Sequence, residues 1–494
     1  MSNSLRVLLT ASVLIAGCEA AVPAAAPQKA NPAPTATKET PTTAVAPPAA
    51  ASKDFVPAQP IQVGPARAPL EDLARQAEAQ QFDLPALDEG KIAAAGIRRL
   101  DGQHITIYTD LPEAAGQAVQ ELPQVFDAAV PLWCAYFGVD PATVEKWKIV
   151  GCVMVEKGRF QGAGLYSDNL PDFPNGYSAG SQVWLYDQPS DYYRRHLLLH
   201  EGTHAFMTRW LGGAGPPWYM EGMAELLGTH EWAGGKLTLG YLPRTKEEVP
   251  YWGRVKIVKD EFAANRGMTL DLIMNYDSRA HLRNEPYGWC WAAATFFDQH
   301  PLTQAAFRDL RSQVKDRTVD FNNRFRGRLK DHLWEIDEDW LLFVLQCEYG
   351  YDVARAAVVR KPVGDLPAAG ASVSIAADRG WQSSGFKLMA GRTYRLTAEG
   401  RYQVGNSPKP WPCEPGGVTI RYVAGQPLGM LLAATSDEEM PARPITPLAN
   451  PQPIGVSATL TPETTGTLYL RINEAPSGLA DNAGTLSVRI EPQP

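Results

Sequence analysis

The chain has 494 residues, which exceeds the size of one ordinary domain and predicts two or three globular units. It carries 46 Lys and Arg against 54 Asp and Glu, giving a formal net charge of -8. Because phosphate backbones attract basic surfaces, this acidic balance argues against a nucleic-acid partner.

The first 18 residues have the pattern of a bacterial lipoprotein signal. A weakly positive start, residues 1–6, precedes an apolar run, residues 7–16, that is too short to span a bilayer. The run leads into Ile-Ala-Gly-Cys, ending at Cys18, which resembles a lipobox. We therefore expect Cys18 to carry the lipid that anchors the protein in the bacterial cell envelope, on the periplasmic or outer-membrane face. An ordinary cleaved signal with a chance cysteine is the alternative.

Residues 19–70 are predicted to be a disordered linker. Ala, Pro and Thr dominate this segment, so it has too few large apolar side chains to offset the entropy of folding. Its prolines favour extended conformations, which would hold the folded part away from the membrane.

Residues 71–360 mix helical and strand patterns and predict an α+β domain. Residues 105–109 alternate like a strand after an Asp-Gly turn. Further strands are predicted over residues 147–155 and 182–186, and helices over residues 71–81, 114–137, 191–212, 218–227, 288–298 and 334–348.

The predicted helix over residues 191–212 contains His200-Glu201-Gly-Thr-His204. Helical positions four apart share a face, so both imidazoles can bind one metal ion. Glu201 then lies within reach of a water molecule bound to that ion. Two imidazoles and a carboxylate suit zinc. His196 and His200, which are also four residues apart, are an alternative metal-binding pair. Leucine follows His196, whereas Glu201 follows His200, so only the pair of His200 and His204 comes with an adjacent carboxylate that can act as the base.

The next helix supplies carboxylates at the same spacing. Glu221 and Glu225 lie four apart in Trp-Tyr-Met-Glu-Gly-Met-Ala-Glu, which follows a break at residues 212–217. This spacing allows Glu221 to be the third ligand and Glu225 to orient a ligand histidine. Alternatively, both are ordinary carboxylates of an exposed helix face.

This arrangement resembles the gluzincin clan of zinc metallopeptidases, and more closely the peptidase MA-like family, also called DUF1570. The resemblance covers residues 102–349, and its specific part is residues 199–227. It implies a zincin-like domain that hydrolyses a peptide or protein substrate with metal-activated water and Glu201 as general base. It also implies that Tyr287 stabilises the oxyanion, with a core tyrosine as the alternative.

Related folds place an edge strand before the active-site helix, where it pairs with extended substrate. Residues 176–180, which lead into the strand-like run 181–186, stand at that position. An internal strand is the alternative.

After about residue 361 the helical periodicity ends. Short strand-like runs between Gly, Pro and Asn turns, such as residues 393–398 and 467–472, predict a β-sandwich over residues 361–494.

The segment from residue 473 to 488 resembles the calcium loop of small bacterial galactose lectins, within a likeness over about residues 364–494. It implies calcium bound by side-chain oxygens of Glu474, Asp481 and Asn482 and by the carbonyl of Gly478, with a glycan as ligand. The lectin pattern has aspartate where Glu474 stands. A polar turn before the final strand explains the same residues without an ion.

Besides Cys18 the chain has five cysteines without CxxC spacing, so they predict no metal cluster; one or two disulfides and buried free thiols are alternatives.

Three functions compete: an active peptidase, a catalytically inactive metal-binding surface protein and a glycan-binding, adhesive lipoprotein. The intact Glu201 favours the first.

Overall fold

Residues 84–280, 283–437 and 446–494 are described by a computed structural model. The lipobox with Cys18, the linker and the predicted helix over residues 71–81 lie outside these ranges. All described residues belong to one compact unit. None of the helices in this part of the chain is long and apolar enough to cross a bilayer.

A mixed sheet forms the start of the described chain. Its strands are β1 (Arg98–Asp101), β2 (Ile105–Thr109), β3 (Ile149–Met154), β4 (Gly176–Ala179) and β5 (Gln182–Tyr186). The spatial order is β1-β2-β3-β5-β4, with β2, β3 and β5 parallel and with β1 and β4 antiparallel to their neighbours. Strand β4 is therefore an edge strand, as predicted.

Helices make up most of the region that follows. They are α1 (Glu89–Ala94), α2 (Gln117–Gln120), α3 (Leu122–Phe137), α4 (Pro141–Val144), α5 (Lys157–Ala163), α6 (Asp191–Phe206), α7 (Pro217–Gly228), α8 (Arg254–Ala263), α9 (Leu270–Met274), α10 (Glu285–Gln299), α11 (Gln304–Asp309), α12 (Val319–Arg328), α13 (Leu333–Leu345) and α14 (Val353–Ala356). A hairpin of β6 (His230–Ala233) and β7 (Lys236–Leu239) follows α7.

The predicted helix over residues 114–137 is wrong at its start. Gly116 has φ 96°, a backbone conformation that glycine adopts much more readily than other residues. It separates a short helical turn, Glu113–Ala115, from α2. The long helix α3 begins only at Leu122.

The core of this region is rich in aromatic side chains from α3, α6 and neighbouring helices. Trp133 meets Phe126 edge-on at 5.3 Å and lies 5.6 Å from Phe206, the last residue of α6. All three rings are fully buried. This packing fixes α6, the helix with the HExxH sequence, against α3.

The C-terminal region is all-β, so an α+β region followed by a β region agrees with the prediction. Its strands are β8 (Gly364–Asp365), β9 (Ala371–Ala376), β10 (Gln382–Leu388), β11 (Tyr394–Glu399), β12 (Tyr402–Gln403), β13 (Pro412–Cys413), β14 (Val418–Val423), β15 (Gln426–Leu428), β16 (Leu431–Ser436), β17 (Gln452–Pro453), β18 (Ser457–Leu460), β19 (Gly466–Ile472) and β20 (Thr485–Pro492). Its two larger sheets, as far as the described residues extend, have the orders β17-β16-β19-β10-β8 and β18-β11-β20-β9. Buried aliphatic side chains such as Leu396, Leu468 and Val488 form its core.

Candidate metal centre

Two helices and a tight break between them position the candidate ligands. Ser190 caps α6 by accepting a hydrogen bond from the Tyr193 N–H at 3.1 Å. The helix continues as a π-helical turn, Met207–Leu211, and ends at Gly212 in the left-handed conformation. Pro217 then occupies the first turn of α7, where a proline is favourable. The chain thus reverses and brings α7 against α6.

Three candidate ligand atoms converge between these helices. His200 Nε2 lies 3.2 Å from His204 Nε2 and 3.4 Å from Glu221 Oε2, and His204 Nε2 lies 3.8 Å from the same oxygen. A tetrahedral zinc ion with bonds of about 2.0–2.1 Å holds its ligand atoms about 3.3 Å apart. Glu221 Oε2 is buried and has no hydrogen-bond partner among the described residues. The three side chains therefore fit a zinc ion.

The electrostatics of the centre also suit a cation. Burial by itself raises the pKa of Glu221, but contacts with His200 and His204 outweigh it and hold that pKa below its ordinary value. Burial lowers the pKa of His200, yet Glu221 and Glu225 raise it well above its ordinary value. The carboxylates thus create a negative potential at the imidazoles, which favours a divalent ion there.

Glu201 lies between α6 and the edge strand β4. An ideal Cβ on Gly176 would lie 2.6 Å from Glu201 Oε1, so glycine is the residue that leaves room for this carboxylate. Burial raises the pKa of Glu201 above its ordinary value. Ser178 lies on the same face of β4 as Gly176, and its proximity lowers the pKa of Glu201 to a smaller extent. The predicted base is thus next to the predicted substrate strand.

Glu225 is fully buried behind His200, which excludes the alternative of an exposed helix face. Its Oε1 lies 3.4 Å from His200 Nδ1, and its Oε2 lies 3.4 Å from His196 Nε2. Arg254 of α8 makes two contacts with the same carboxylate, at 2.7 and 2.8 Å. His196, His200 and Glu225 are thus a second group of side chains that could hold a metal ion, but here the Arg254 guanidinium already supplies a positive charge to the Glu225 carboxylate.

Tyr287, in the first turn of α10, also borders the centre. Its ring lies 6.2 Å from the ring of His200. Burial raises the pKa of Tyr287 well above its ordinary value, and the nearby Glu221 and Glu201 add to this effect. The tyrosine is therefore protonated at neutral pH and can donate a hydrogen bond.

The predicted calcium residues lie around one loop of the C-terminal region. Glu474 is buried and accepts a hydrogen bond from the Ala475 N–H at 2.9 Å. Asp481 Oδ2 accepts from the Asn406 N–H at 3.1 Å, and Asn482 Oδ1 accepts from the Gly405 N–H at 3.0 Å. An ideal Cβ on Gly478 would lie 2.7 Å from Glu474 Oε1. The side-chain oxygens thus hold the loop together, and calcium binding stays a prediction.

Two features of the site were missed by the sequence reasoning. Arg254 lies 29 residues after Glu225 in no recognisable motif. Gly202, within the HExxH sequence, had no explanation; an ideal Cβ there would lie 2.7 Å from the rings of Phe126 and Trp133, so it allows α3 to pack closely against α6. The five cysteines of the described chain are buried free thiols, Cys134, Cys152, Cys290, Cys347 and Cys413.

No protein-family model matches this chain, and no curated protein matches it significantly. Among solved structures, the N-terminal domain of EclA, a PllA-like lectin, is 20% identical over 25% of this chain and 95% of its own, with a TM-score of 0.19. The IMPa metallopeptidase in complex with T-antigen is 11% identical over 82% of this chain and 43% of its own, with a TM-score of 0.15. IMPa from Pseudomonas aeruginosa in complex with an O-glycopeptide is 12% identical over 81% and 47%, with a TM-score of 0.14. This chain thus spans less than half of either IMPa chain, and likenesses at these TM-scores establish neither its fold family nor its function.

Proposed function

We propose that this chain is a zinc-dependent peptidase with a zincin-like domain of the gluzincin type. The observation that carries the proposal is the convergence of His200 Nε2, His204 Nε2 and Glu221 Oε2 at 3.2–3.8 Å, with Glu201 beside them. Two imidazoles and a carboxylate are a donor set of catalytic zinc sites. A bound zinc ion would supply Lewis-acid chemistry, lowering the pKa of water and polarising a carbonyl group.

In the proposed reaction, Glu201 takes a proton from the water that adds to the peptide carbonyl carbon. It then gives that proton to the leaving nitrogen as the C–N bond breaks, which yields a carboxylic acid and an amine; the acid then loses its remaining proton to the amine or to solvent. The Tyr287 hydroxyl donates to the oxygen on which negative charge develops. The outer edge of β4, with which no strand of the described residues pairs, lies next to Glu201 and pairs in this proposal with the extended substrate backbone. Such main-chain pairing recognises a peptide with little demand on its side chains.

The test compares the purified protein with its Glu201→Gln variant. We expect about one zinc per chain in both proteins, because glutamine at this position leaves the three ligands intact. Cleavage of casein or a peptide library should be lost in the variant, since glutamine cannot accept the proton. Metal analysis by mass spectrometry and a fluorescent cleavage assay measure the two quantities.

A matched control is Glu231→Gln, which changes an exposed glutamate on β6 and should keep both zinc and turnover. A Glu201→Gln variant that cleaves as fast as the parent would show that the mechanism is wrong. A parent that binds zinc but cleaves nothing would favour the inactive metal-binding alternative.

We also propose that lipid on Cys18 tethers the enzyme to the bacterial envelope, and the support for this is the lipobox-like sequence before that residue. In bacterial cells, Cys18→Ala should abolish labelling by a fatty acid and move the protein out of the detergent phase. Labelling that persists in the variant would show that Cys18 does not carry the lipid, and a parent protein without label would leave the ordinary cleaved signal as the explanation.

For the C-terminal region we propose calcium-dependent glycan binding. Burial raises the pKa of Glu474, and the negative charge of Asp481 adds to this effect. A hard cation bound between these carboxylates would favour their charged forms. The polar turn without an ion is the competing explanation.

A further inference from the structure

The Glu225 carboxylate is enclosed by cationic and imidazole groups from two helices. Each of its oxygens faces one guanidinium nitrogen of Arg254 and one imidazole nitrogen: Oε1 faces Arg254 Nη2 at 2.7 Å and His200 Nδ1 at 3.4 Å. Oε2 faces Arg254 Nε at 2.8 Å and His196 Nε2 at 3.4 Å. Because the carboxylate is 0% exposed, these contacts replace its hydration.

This arrangement selects one tautomer of His200. The His200 Nδ1 lies 3.4 Å from Glu225 Oε1 without the alignment of a hydrogen bond. Because a carboxylate paired with arginine can only accept hydrogen bonds, it favours a hydrogen on the Nδ1 that faces it over a lone pair there. The lone pair of Nε2 then points at His204 and Glu221. Glu225 can do this only while its oxygens are held in the plane set by the guanidinium.

Arg254 is itself fixed from three directions. Its remaining nitrogen, Nη1, donates to the Trp252 carbonyl at 2.8 Å. Its guanidinium carbon lies 5.8 Å from the ring centre of Tyr193 and 5.8 Å from that of Tyr287. The same side chain therefore contacts both the support of a ligand histidine and the proposed oxyanion donor.

We propose that Arg254 is a positioning residue of the metal centre, which holds Glu225 in the orientation that presents His200 Nε2 to the ion. The proposal rests on the proposed function, since it concerns the same zinc site. Lysine cannot replace this arginine, because one ammonium group does not make the planar two-point contact with both carboxylate oxygens.

The experiment measures zinc affinity in the full-length protein by competition with a chromophoric chelator. Arg254→Lys should weaken zinc binding about 10-fold or more, as losses of groups that support a ligand do. In a Glu225→Gln background the same substitution should change affinity by about 2-fold or less, because the two residues act through one contact. A merely structural arginine would instead lower the melting temperature and leave zinc affinity alone.

Arg194→Lys is the matched control. Arg194 is 8% exposed, as is Arg254, and pairs with Asp187 at 2.7 Å, away from the three candidate ligands. We expect this control to bind zinc like the parent. Arg254→Lys with parental affinity, or equal losses in both backgrounds, would overturn the proposal while the proposed function stands; a parent that binds no zinc would overturn both.

A paired variant keeps the test decisive if Arg254→Lys does not fold. Arg254→Met with Glu225→Leu replaces both buried charges by apolar side chains, an exchange that often preserves stability. We expect it to fold and to bind zinc as weakly as Glu225→Gln. Parental zinc affinity in this folded double variant would contradict the role given to Arg254.

Discussion

Gly176 lies where any side chain would collide with the proposed base, Glu201. The space that a Cβ would occupy is taken by the Glu201 carboxylate, at 2.6 Å from Oε1 and 3.1 Å from Cδ. Either the base or the edge strand would have to move if this position carried a methyl group. The proposed zinc ligands lie on α6 and α7, so their geometry does not depend on that strand.

We predict that Gly176→Ala separates turnover from zinc binding. Displacement of the base by about 1 Å costs up to about 100-fold in rate, so we expect kcat to fall by about 10–100-fold. Zinc affinity should stay within about 3-fold, because no ligand or ligand support is touched. Steady-state kinetics and chelator competition measure the two effects.

Gly162→Ala on α5 is a suitable control, since no atom lies within 4 Å of an added Cβ there. That variant should match the parent in both assays. Full activity of Gly176→Ala would mean that Glu201 does not occupy this space during turnover.

The candidate ligand residues could be identified from the sequence because their spacing is local. His200 and His204 lie one helical turn apart, and a single break separates them from Glu221. Arg254 could not be predicted, because its contact with Glu225 spans 29 residues. It depends on how α8 packs against α10, which in turn packs against α7. Side chains that act through tertiary packing leave no periodic pattern.

At the scale of elements, hydrophobic periodicity predicted the five longest of the described helices and several strands, but not the places where elements pack closely against one another. Strand β5 and helix α7 match the predicted runs to within one residue at each end. The roles of Gly202 and Gly116 were not predictable, because one depends on the rings of α3 and the other on a local φ of 96°. From the sequence alone, a glycine within a helical pattern indicates only a less stable helix, because the side chain that packs against it is known only from the structure.

At the scale of the described unit, the helical and β regions share an apolar cluster. Leu342 of α13 packs with Val358, Trp381 and Tyr469, all of them buried. Beside this cluster Glu338 accepts hydrogen bonds from Arg360 at 2.8 Å and from Thr446 at 2.6 Å. We infer that the two regions support each other's stability, because separating them would expose these side chains.

The loop with the predicted calcium residues takes part in the same junction. Ser477 donates to Glu348 at 3.3 Å, and the Asp352 N–H donates to the Pro476 carbonyl at 3.4 Å. An ion that holds this loop would therefore stabilise a segment on which the helical region also rests.

We predict that calcium raises the melting temperature of the full-length protein. At a calcium concentration about 10–100 times its Kd, binding to the folded state alone contributes about 1.4–2.7 kcal/mol. Asp481→Asn should reduce this gain, because the amide can still accept from the Asn406 N–H but no longer offers a charged ligand. Asp365→Asn, at an exposed position of β8, should leave the gain unchanged. Differential scanning calorimetry with calcium and with magnesium makes the measurement, and an equal melting temperature with and without calcium would leave the loop as a polar turn that joins the two regions.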